Sequence, residues 1–218
     1  MIIAIDGPSG SGKSTLGRML AHALKLLYID TGSMYRAVAL ATIEAAIDPG
    51  DKEAVTALAN RIEIDLKGDP DSLSVLLNGR DVTDQIRTES VTEMSSIVST
   101  IPGVRRAMVE RQRALGKRGA VLNGRDIGTV VFPDADVKFF LTAVPEERAD
   151  RRYKEDQISA SSSATYAETL VDMIERDRRD STRADSPLKL ADDAIVVDST
   201  GKSIEQVFEE MMGSINHG

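Results

Sequence analysis

The chain begins with the apolar run Ile2–Ile5, then Asp6, and continues with Gly7-Pro8-Ser9-Gly10-Ser11-Gly12-Lys13-Ser14. These last eight residues match the pattern G-x-x-x-x-G-K-[S/T]. The apolar run predicts a buried strand, and apolar residues spaced three or four apart from Leu16 to Leu27 predict a helix. A glycine-rich loop between a strand and a helix directs backbone N–H groups and the positive end of the helix at an anion. The sequence therefore predicts a phosphate-binding loop.

The chemistry of this loop indicates a nucleoside triphosphate as its ligand. The Lys13 ammonium can reach the β- and γ-phosphates, and the Ser14 hydroxyl can ligate a metal. We therefore expect Mg²⁺ as a cofactor that accompanies ATP. The residues expected to bind ATP are Gly7, Pro8, Ser9, Gly10, Ser11, Gly12, Lys13, Ser14 and Thr15.

Three classes of protein use such a loop, namely small-molecule kinases, GTPase switches and mechanical ATPases. The segment 123–126 has the ends of the guanine motif N-K-x-D but lacks its lysine. Two D-x-x-G matches, Asp65–Gly68 and Asp198–Gly201, do not follow a suitable strand. Mechanical ATPases generally need more than 218 residues. A kinase is favoured, and a nucleotide-binding switch without phosphoryl transfer is the alternative from another class.

The composition of the chain argues against several kinds of binding partner and metal site. The net charge is −8, which argues against a nonspecific binder of nucleic acid or of membrane surfaces. Cysteine is absent, and the two histidines, His22 and His217, are too few for a histidine metal cluster. No apolar run reaches the length of a membrane-spanning helix, and the first residues do not resemble a signal peptide. We expect a soluble cytoplasmic protein that binds neither nucleic acid nor membranes.

Short apolar runs at wide spacing predict an α/β fold whose core is a doubly wound five-stranded parallel sheet. The runs are Ile2–Ile5, Leu26–Ile29, Ala120–Leu122, Val137–Leu141 and Ala194–Val197. Residues 62–82 differ, because apolar and polar residues alternate on both sides of a Gly-Asp-Pro-Asp turn, which predicts an antiparallel hairpin. We interpret about 38–105 as an insert that carries a small sheet and helices.

Candidate groups for a second substrate follow the core strands. Loops at 30–36 and 124–129 are expected to face the phosphate loop, because ligands of open α/β sheets bind at the carboxyl ends of strands. Arginines follow on two predicted helices either side of Ser159–Ser163, which we interpret as a hinge or lid tip, with a plain surface loop as the alternative. Their guanidinium forks suit phosphate oxygens. For Arg178 and Arg179, ion pairs on a solvated helix face explain the pattern equally well.

The chain resembles the bacterial cytidylate kinase family over essentially its whole length. The resemblance rests on D-G-P-S-G-S-G-K-S at 6–14, D-T-G-S-M-Y-R at 30–36, I-R-T at 86–88, G-R-D-I-G-T-V-V-F-P-D-A at 124–135, E-R-D-x-x-D at 175–180 and V-V-D-S-T at 196–200. It implies a P-loop NTPase core at 1–37 and 106–218 and a nucleoside-monophosphate-binding α+β insert at 38–105. It also implies a short helical lid at about 149–183.

The resemblance also implies roles for single residues. Thr31, Arg36 and Arg125 resemble contacts to the acceptor phosphate. Ser96, Arg105 and Asp126 resemble the residues that read cytosine, and Arg176 and Asp180 resemble the ribose pair. The catalytic residues expected are Lys13, Arg125, Arg148 and Arg152, and the metal ligand is Ser14. Arg105 opens a helix predicted over 102–118, whose remaining bases are expected to be solvated: Arg106, Arg111, Arg113, Lys117 and Arg118.

The chain departs from the family where an acid usually precedes G-R-D, because Asn123 stands there. An acid at this strand end could hold Mg²⁺ through water, and Asp30 and Asp126 are possible substitutes. The expected activity is transfer of the γ-phosphoryl group from MgATP to CMP or dCMP by a monomer. The alternatives within the class are kinases for UMP, AMP or shikimate.

Overall fold

A computed structural model describes residues 1–159 and 164–216. Its strands are β1 Ile2–Asp6, β2 Leu27–Asp30, β3 Ile64–Lys67, β4 Ser74–Leu77, β5 Arg80–Asp81, β6 Ala120–Gly124, β7 Val137–Thr142 and β8 Ile195–Asp198. Its helices are α1 Lys13–Leu24, α2 Thr31–Glu44, α3 Lys52–Arg61, α4 Glu89–Val98, α5 Pro102–Gly116, α6 Pro145–Ser159, α7 Tyr166–Thr182 and α8 Ile204–Asn216. Short 3-10 turns precede β4 and α4, and one turn of π-helix covers Ile127–Val131.

The central sheet has five parallel strands in the order β2-β6-β1-β7-β8. Successive side chains of a strand point to opposite faces, and both faces are covered. Ile3 and Ile5 pack with α1 and α8 on one face, whereas Ala4 packs against the cluster that includes α2 and α5 on the other. The predicted doubly wound five-stranded sheet is confirmed.

Helix boundaries follow from local sequence. Pro102 and Pro145 stand at the first positions of α5 and α6, where the missing N–H of proline costs nothing. A capping box starts α8, because Ser203 Oγ accepts from the Gln206 N–H and Gln206 Oε1 accepts from the Ser203 N–H.

Gly7 lies where the chain leaves β1 and bends into the phosphate loop. Its φ of +147° is a conformation that side chains disfavour, and a Cβ there would lie 2.0 Å from the Leu141 carbonyl oxygen. We expect Gly7→Ala to destabilise the protein by about 2 kcal/mol or more, because β7 backbone would have to move. Denaturant unfolding measures this. Gly213→Ala is the matched control, because a Cβ there meets nothing within 4 Å; an equal loss in both variants would contradict the packing argument.

The segment 62–82 forms an antiparallel sheet in which Ile64 pairs with Leu77 and Leu66 with Val75. The hairpin prediction is confirmed, but the sheet has a third strand, β5, which pairs with β4. Two exposed charged residues make up β5, so alternation of apolar residues did not reveal it. The predicted insert boundaries at 37/38 and 105/106 fall inside α2 and α5. Continuous helices thus join the insert to the sheet, and the division into domains stays a prediction.

Three expectations need correction or lie outside the structure. Residues 30–36 are not a loop, because α2 begins at Thr31 directly after β2. Two of the five bases within 102–118 that were expected to be solvated bind backbone oxygens: Arg111 donates to the carbonyls of residues 60 and 62, and Arg113 to those of residues 130 and 131. The hinge or lid tip interpreted at Ser159–Ser163 lies, except for the backbone of Ser159, outside the described residues.

Candidate functional site

The phosphate loop joins β1 to α1 as the motif requires, and Lys13 is the first residue of the helix. Lys13 is 6% exposed, and its Nζ donates to the Pro8 carbonyl oxygen at 2.5 Å and to Ser11 Oγ at 3.4 Å. Burial lowers the pKa of Lys13, and the nearby Arg125 guanidinium lowers it further. A buried ammonium beside a second cation is stabilised by an anion, which a bound phosphate would provide.

Arg148, a residue of α6, binds the backbone of the phosphate loop. Arg148 is buried, and its Nη1 donates to the Ser9 carbonyl oxygen at 2.9 Å and to Asp177 Oδ2 at 2.6 Å. Its Nε donates to the Ala143 carbonyl oxygen at 2.9 Å. Asp177 in turn accepts from the Ser9 N–H at 3.4 Å. These contacts tie α6 and α7 to the loop and favour a positioning role for Arg148; its predicted direct contact with phosphate stays a prediction.

Ser14 lies beside two buried polar side chains, Asn123 and Tyr28. Asn123 Nδ2 donates to Ser14 Oγ at 3.1 Å, whereas Asn123 Oδ1 is unpartnered. The Tyr28 hydroxyl is also buried and lies within reach of a hydrogen bond with Ser14. Hydroxyl and amide oxygens are hard donors that suit Mg²⁺ and its water ligands. In the described residues, His, Cys, Asp and Glu form no group of three that could hold a metal ion. The donor set therefore fits Mg²⁺ held mainly by nucleotide phosphates.

The carboxylates considered as substitutes for an acid at position 123 have other partners. Asp30 caps α2 by accepting from the Ser33 N–H at 3.3 Å, and its other oxygen accepts from Arg36 Nη2 at 3.3 Å. Asp126 forms ion pairs with Arg105 and Arg183. These contacts do not favour either carboxylate as the substitute.

Four arginines from separate elements form a cationic cluster, and one of them, Arg125, also acts on the charge of Lys13. Arg36 comes from α2, Arg125 from the end of β6, Arg152 from α6 and Arg176 from α7. Burial lowers the pKa of Arg176 to about 10, and the charges of the other three arginines lower it too. The Nε atoms of Arg176 and Arg36 are buried without partners. Such a set of guanidiniums is arranged for an oxyanion.

Asp180 partly neutralises this cluster. Its Oδ2 accepts from Arg125 Nε at 2.7 Å, and its Oδ1 lies 3.6 Å from Arg183 Nη1. Burial would raise the pKa of Asp180, but the guanidiniums of Arg125, Arg176 and Arg183 outweigh it and lower that pKa. Arg152 has its own partner, because its Nε donates to Asp156 Oδ2 at 2.9 Å. The predicted roles of Arg152, Arg176 and Asp180 stay predictions.

A second charged cluster surrounds Asp126. Arg105, 2% exposed, donates from Nη2 to Asp126 Oδ2 at 2.5 Å and from Nη1 to the Ser99 carbonyl oxygen at 3.2 Å. Its guanidinium carbon lies 5.6 Å from the centre of the Tyr35 ring. Asp126 Oδ1 lies 3.7 Å from Arg183 Nη2. The structure thus brings two of the three residues expected to read cytosine into direct contact.

The remaining predicted acceptor residues lie on neighbouring elements. Ser96 is buried on α4, the helix whose terminal Ser99 carbonyl accepts from Arg105. Thr31 is buried at the start of α2, and its hydroxyl donates to the Asn123 carbonyl oxygen at 2.7 Å. Because the hydroxyl proton of Thr31 is used in this bond, donating it to a phosphate oxygen would require the bond to Asn123 to break. The oxygen of the hydroxyl can still accept a hydrogen bond. Arg178 is exposed and pairs with Glu175, as the solvated-face interpretation expected.

Sequence reasoning missed Arg183 and Asp177. Arg183 ends α7, and its buried side chain lies within 3.7 Å of both Asp126 and Asp180. Its spacing of three residues after Asp180 puts both on one face of the helix, which was the available signal. Asp177 stands inside the quoted E-R-D segment, but its pairing with Arg148 and Ser9 required the structure.

The family profile and the relatives found by sequence comparison carry the same description. A family profile described as cytidylate kinase matches residues 3–217. A cytidylate kinase from Citrifermentans bemidjiense is 49% identical over 99% of this chain and 92% of that protein. A cytidylate kinase from Halalkalibacterium halodurans is 47% identical over 99% of this chain and 97% of that protein.

Among solved structures, an uncharacterized protein from Eubacterium ventriosum is similar, with a TM-score of 0.55 and 11% identity over 99% of this chain and 98% of that one. At this identity the likeness concerns the fold alone. Across residues 1–159 and 164–216, the search for a helix long and apolar enough to cross a membrane finds none.

Proposed function

The chain belongs to the cytidylate kinase family, whose P-loop fold and ATP-dependent phosphorylation of CMP or dCMP it shares, and we propose how its residues divide that work. The reaction makes CDP or dCDP and ADP and belongs to pyrimidine nucleotide metabolism. The observation that supports these roles is the cationic cluster around Arg176, because one of its members, Arg125, also acts on the charge of Lys13.

The donor side consists of residues 7–15. Its backbone N–H groups and the N-terminus of α1 bind the ATP phosphates, and Lys13 follows the charge that develops on the β–γ bridge. Lys13 Nζ then exchanges the Pro8 carbonyl for phosphate oxygens. Arg148 and Asp177 hold the Ser9 backbone in place through their contacts with it.

Ser14 and Asn123 are the residues that would hold Mg²⁺ with ATP, Ser14 through its hydroxyl and Asn123 through water. When bound, Mg²⁺ supplies positive charge to the phosphate oxygens.

The acceptor side consists of two parts. Arg36, Arg125 and Arg176 bind the CMP phosphate together with Thr31, and Asp180 orients Arg125 and contacts the ribose with Arg176. Asp126, Arg105 and Ser96 read the cytosine ring. The acceptor oxygen is already an anion, so the step needs no general base. The bond from the γ-phosphorus to the β–γ bridging oxygen breaks as a bond to the CMP phosphate oxygen forms, and Arg152 neutralises charge in transfer.

We assign the phosphate-loop core to 1–37 and 106–218, the acceptor-binding insert to 38–105 and a lid to about 149–183. The lid would carry Arg152 and Arg176 towards the phosphates and exclude water, which otherwise hydrolyses ATP. We further propose that the protein acts as a monomer in the cytoplasm, where its nucleotide substrates occur. The net charge of −8 disfavours nucleic acid and anionic membranes as partners.

The test of this proposal is ADP release from ATP with CMP, dCMP, UMP, AMP or shikimate as acceptor. We expect turnover that depends on CMP or dCMP. Slow ATP turnover that is indifferent to every acceptor would instead indicate a nucleotide-binding switch. Turnover greatest with UMP, AMP or shikimate would contradict the assignment of the cytosine-reading residues.

Arg125→Lys tests the acceptor side. Lysine keeps the charge but loses the planar fork that donates to both Asp180 and a phosphate. We expect KM for CMP to rise about tenfold, a slower kcat and a nearly unchanged KM for ATP. Steady-state kinetics with each substrate varied in turn measures the three constants. Arg178→Lys is the control, because Arg178 is exposed. A selective rise in KM for ATP would move Arg125 to the donor side.

A further inference from the structure

Asp6 is a buried carboxylate at the carboxyl end of β1, next to the phosphate loop. Only 4% of its surface is exposed, and it lies opposite Gly124 in the parallel pairing of β1 with β6. No ion pair of Asp6 occurs in the part of the chain that the structure describes. A buried carboxylate without a cation partner needs hydrogen bonds to remain charged.

Those hydrogen bonds come from the turn that follows β6. Asp6 Oδ1 accepts from the Ile127 N–H and Oδ2 from the Gly128 N–H, both at 2.8 Å. These are the first N–H groups of the π-helical turn, which an ordinary helix end would leave without partners. Bonds to a carboxylate are stronger than bonds between neutral groups. The carboxylate therefore fixes the backbone that directly follows Arg125 and Asp126.

The Asp6 carboxylate also interacts electrostatically with a residue of each proposed substrate site. Lys13 on the donor side and Asp126 on the acceptor side are the charges that act on it. From β7, Lys138 packs its aliphatic chain near Gly128 while its ammonium binds Asp193 and the Pro133 carbonyl. Asp6 thus connects the strand that starts the phosphate loop to the turn that carries the acceptor-binding residues.

We propose that Asp6 is a positioning residue that holds Arg125 and Asp126 in register with the phosphate loop. This rests on the proposed function of Arg125 and Asp126 as CMP contacts. Within residues 1–159 and 164–216, the hydrogen bonds of the Asp6 carboxylate run to the backbone after these residues, so Asp6 acts on CMP through them. A group that merely stabilised the sheet would change the protein's stability without separating the kinetics of the two substrates.

Asp6→Asn tests the proposal, because asparagine has nearly the same shape. Its amide can accept from one N–H, but its NH₂ group then faces the other N–H and displaces the turn. We expect KM for CMP to rise about tenfold or more, with KM for ATP within about threefold of the unchanged protein. Ile3→Val, a buried change in the same strand, is the control and should leave both constants unchanged.

The pH dependence provides a readout that a purely structural role would not move. Burial raises the pKa of Asp6 to about 6, against the lowering effect of the Gly128 and Ile127 N–H groups. Protonated Asp6 resembles asparagine in having one donor where an acceptor is needed. We therefore divide KM for CMP of Asp6→Asn by KM for CMP of the unchanged protein. We expect this ratio to fall towards one as the pH decreases from 8 to 5.5. The ratio cancels titration of the CMP phosphate itself.

The same protonation does not unfold the protein. A carboxyl whose pKa is higher in the folded than in the unfolded state makes stability increase as the pH falls from about 6 to 3.8. A ratio of KM values near one at pH 5.5, with an unlowered melting temperature, thus reflects the turn that Asp6 holds and not a loss of folding.

Equal changes in both KM values, or an unchanged KM for CMP in folded Asp6→Asn, would overturn the proposal. If Asp6→Asn does not fold, Gly128→Ala decides. Its Cβ would lie 3.0 Å from Cδ of Lys138, whose ammonium is held by Asp193 and the Pro133 carbonyl, so the turn would have to shift. This variant should raise KM for CMP selectively, and normal kinetics would equally overturn the proposal. Absence of CMP-dependent ADP release by the unchanged protein would instead contradict the proposed function.

Discussion

Replacing Lys13 by alanine is expected to lower kcat about 100-fold or more while the protein remains folded. Lys13 begins α1 inside the phosphate loop, and its ammonium is buried where we propose that the β- and γ-phosphates bind. Its contact strengthens as negative charge moves onto the β–γ bridge, so its loss is felt mainly in the transition state. The effect on KM for ATP should be smaller than the effect on kcat.

Measurement of kcat at saturating ATP and CMP, with thermal unfolding of the same variant, checks this expectation. Lys117→Ala is the control, because Lys117 is exposed after α5. Normal turnover by Lys13→Ala would show that the phosphate loop is assigned wrongly. Loss of folding would show instead that the bond from Lys13 to the Pro8 carbonyl maintains the loop.

The second large effect is expected for Asp126→Ala, which tests how cytosine is recognised. Cytosine presents an amine donor where uracil presents a carbonyl acceptor, and a carboxylate suits the donor. With UMP, a desolvated carboxylate would face an oxygen, which costs about 1–3 kcal/mol or more. We expect kcat/KM for CMP to fall about 100-fold or more and the preference for CMP over UMP to collapse.

The contacts of Asp126 define the competing explanation. Its two oxygens face Arg105 and Arg183, so the carboxylate also orients these two buried guanidiniums. If orientation is its whole role, kcat/KM should fall equally for CMP and UMP, and the ratio should persist. Asp177→Ala is the matched control, because it removes a carboxylate from another buried arginine, Arg148, on the donor side. That variant should leave the ratio unchanged.

The order of elements followed from local sequence because its causes are local. Apolar runs at wide spacing indicated the five parallel strands, and prolines and a capping box marked the starts of α5, α6 and α8. The strand–loop–helix context identified residues 7–14 for the same reason, since backbone curvature and helix direction depend on neighbouring residues. Local patterns failed at β5, which has two exposed charged residues, and at 30–36, where α2 begins without a loop.

The partners of the charged residues could not be obtained from local patterns. A run of bases on α5 looks uniform in sequence, yet Arg105 is buried against Asp126 and Tyr35 whereas Arg106 is exposed. Which face of α5 meets the turn after β6 depends on how the helix packs against the sheet. The same holds for Arg148, whose expected catalytic role stays a prediction: its contact with the Ser9 carbonyl oxygen of the phosphate loop joins residues far apart in the chain.

The sequence by itself thus determined the family, the strands of the central sheet and the phosphate loop, because each is marked by motifs of residues close together in the chain. Only the tertiary structure decided which charges meet. Arg125 reaches Asp180 across 55 positions, Asp6 reaches Ile127 across 121, and Arg148 reaches Ser9 across 139. Packing of separate strands and helices brings these groups within hydrogen-bond distance, and burial then makes each pairing strong enough to shape the site.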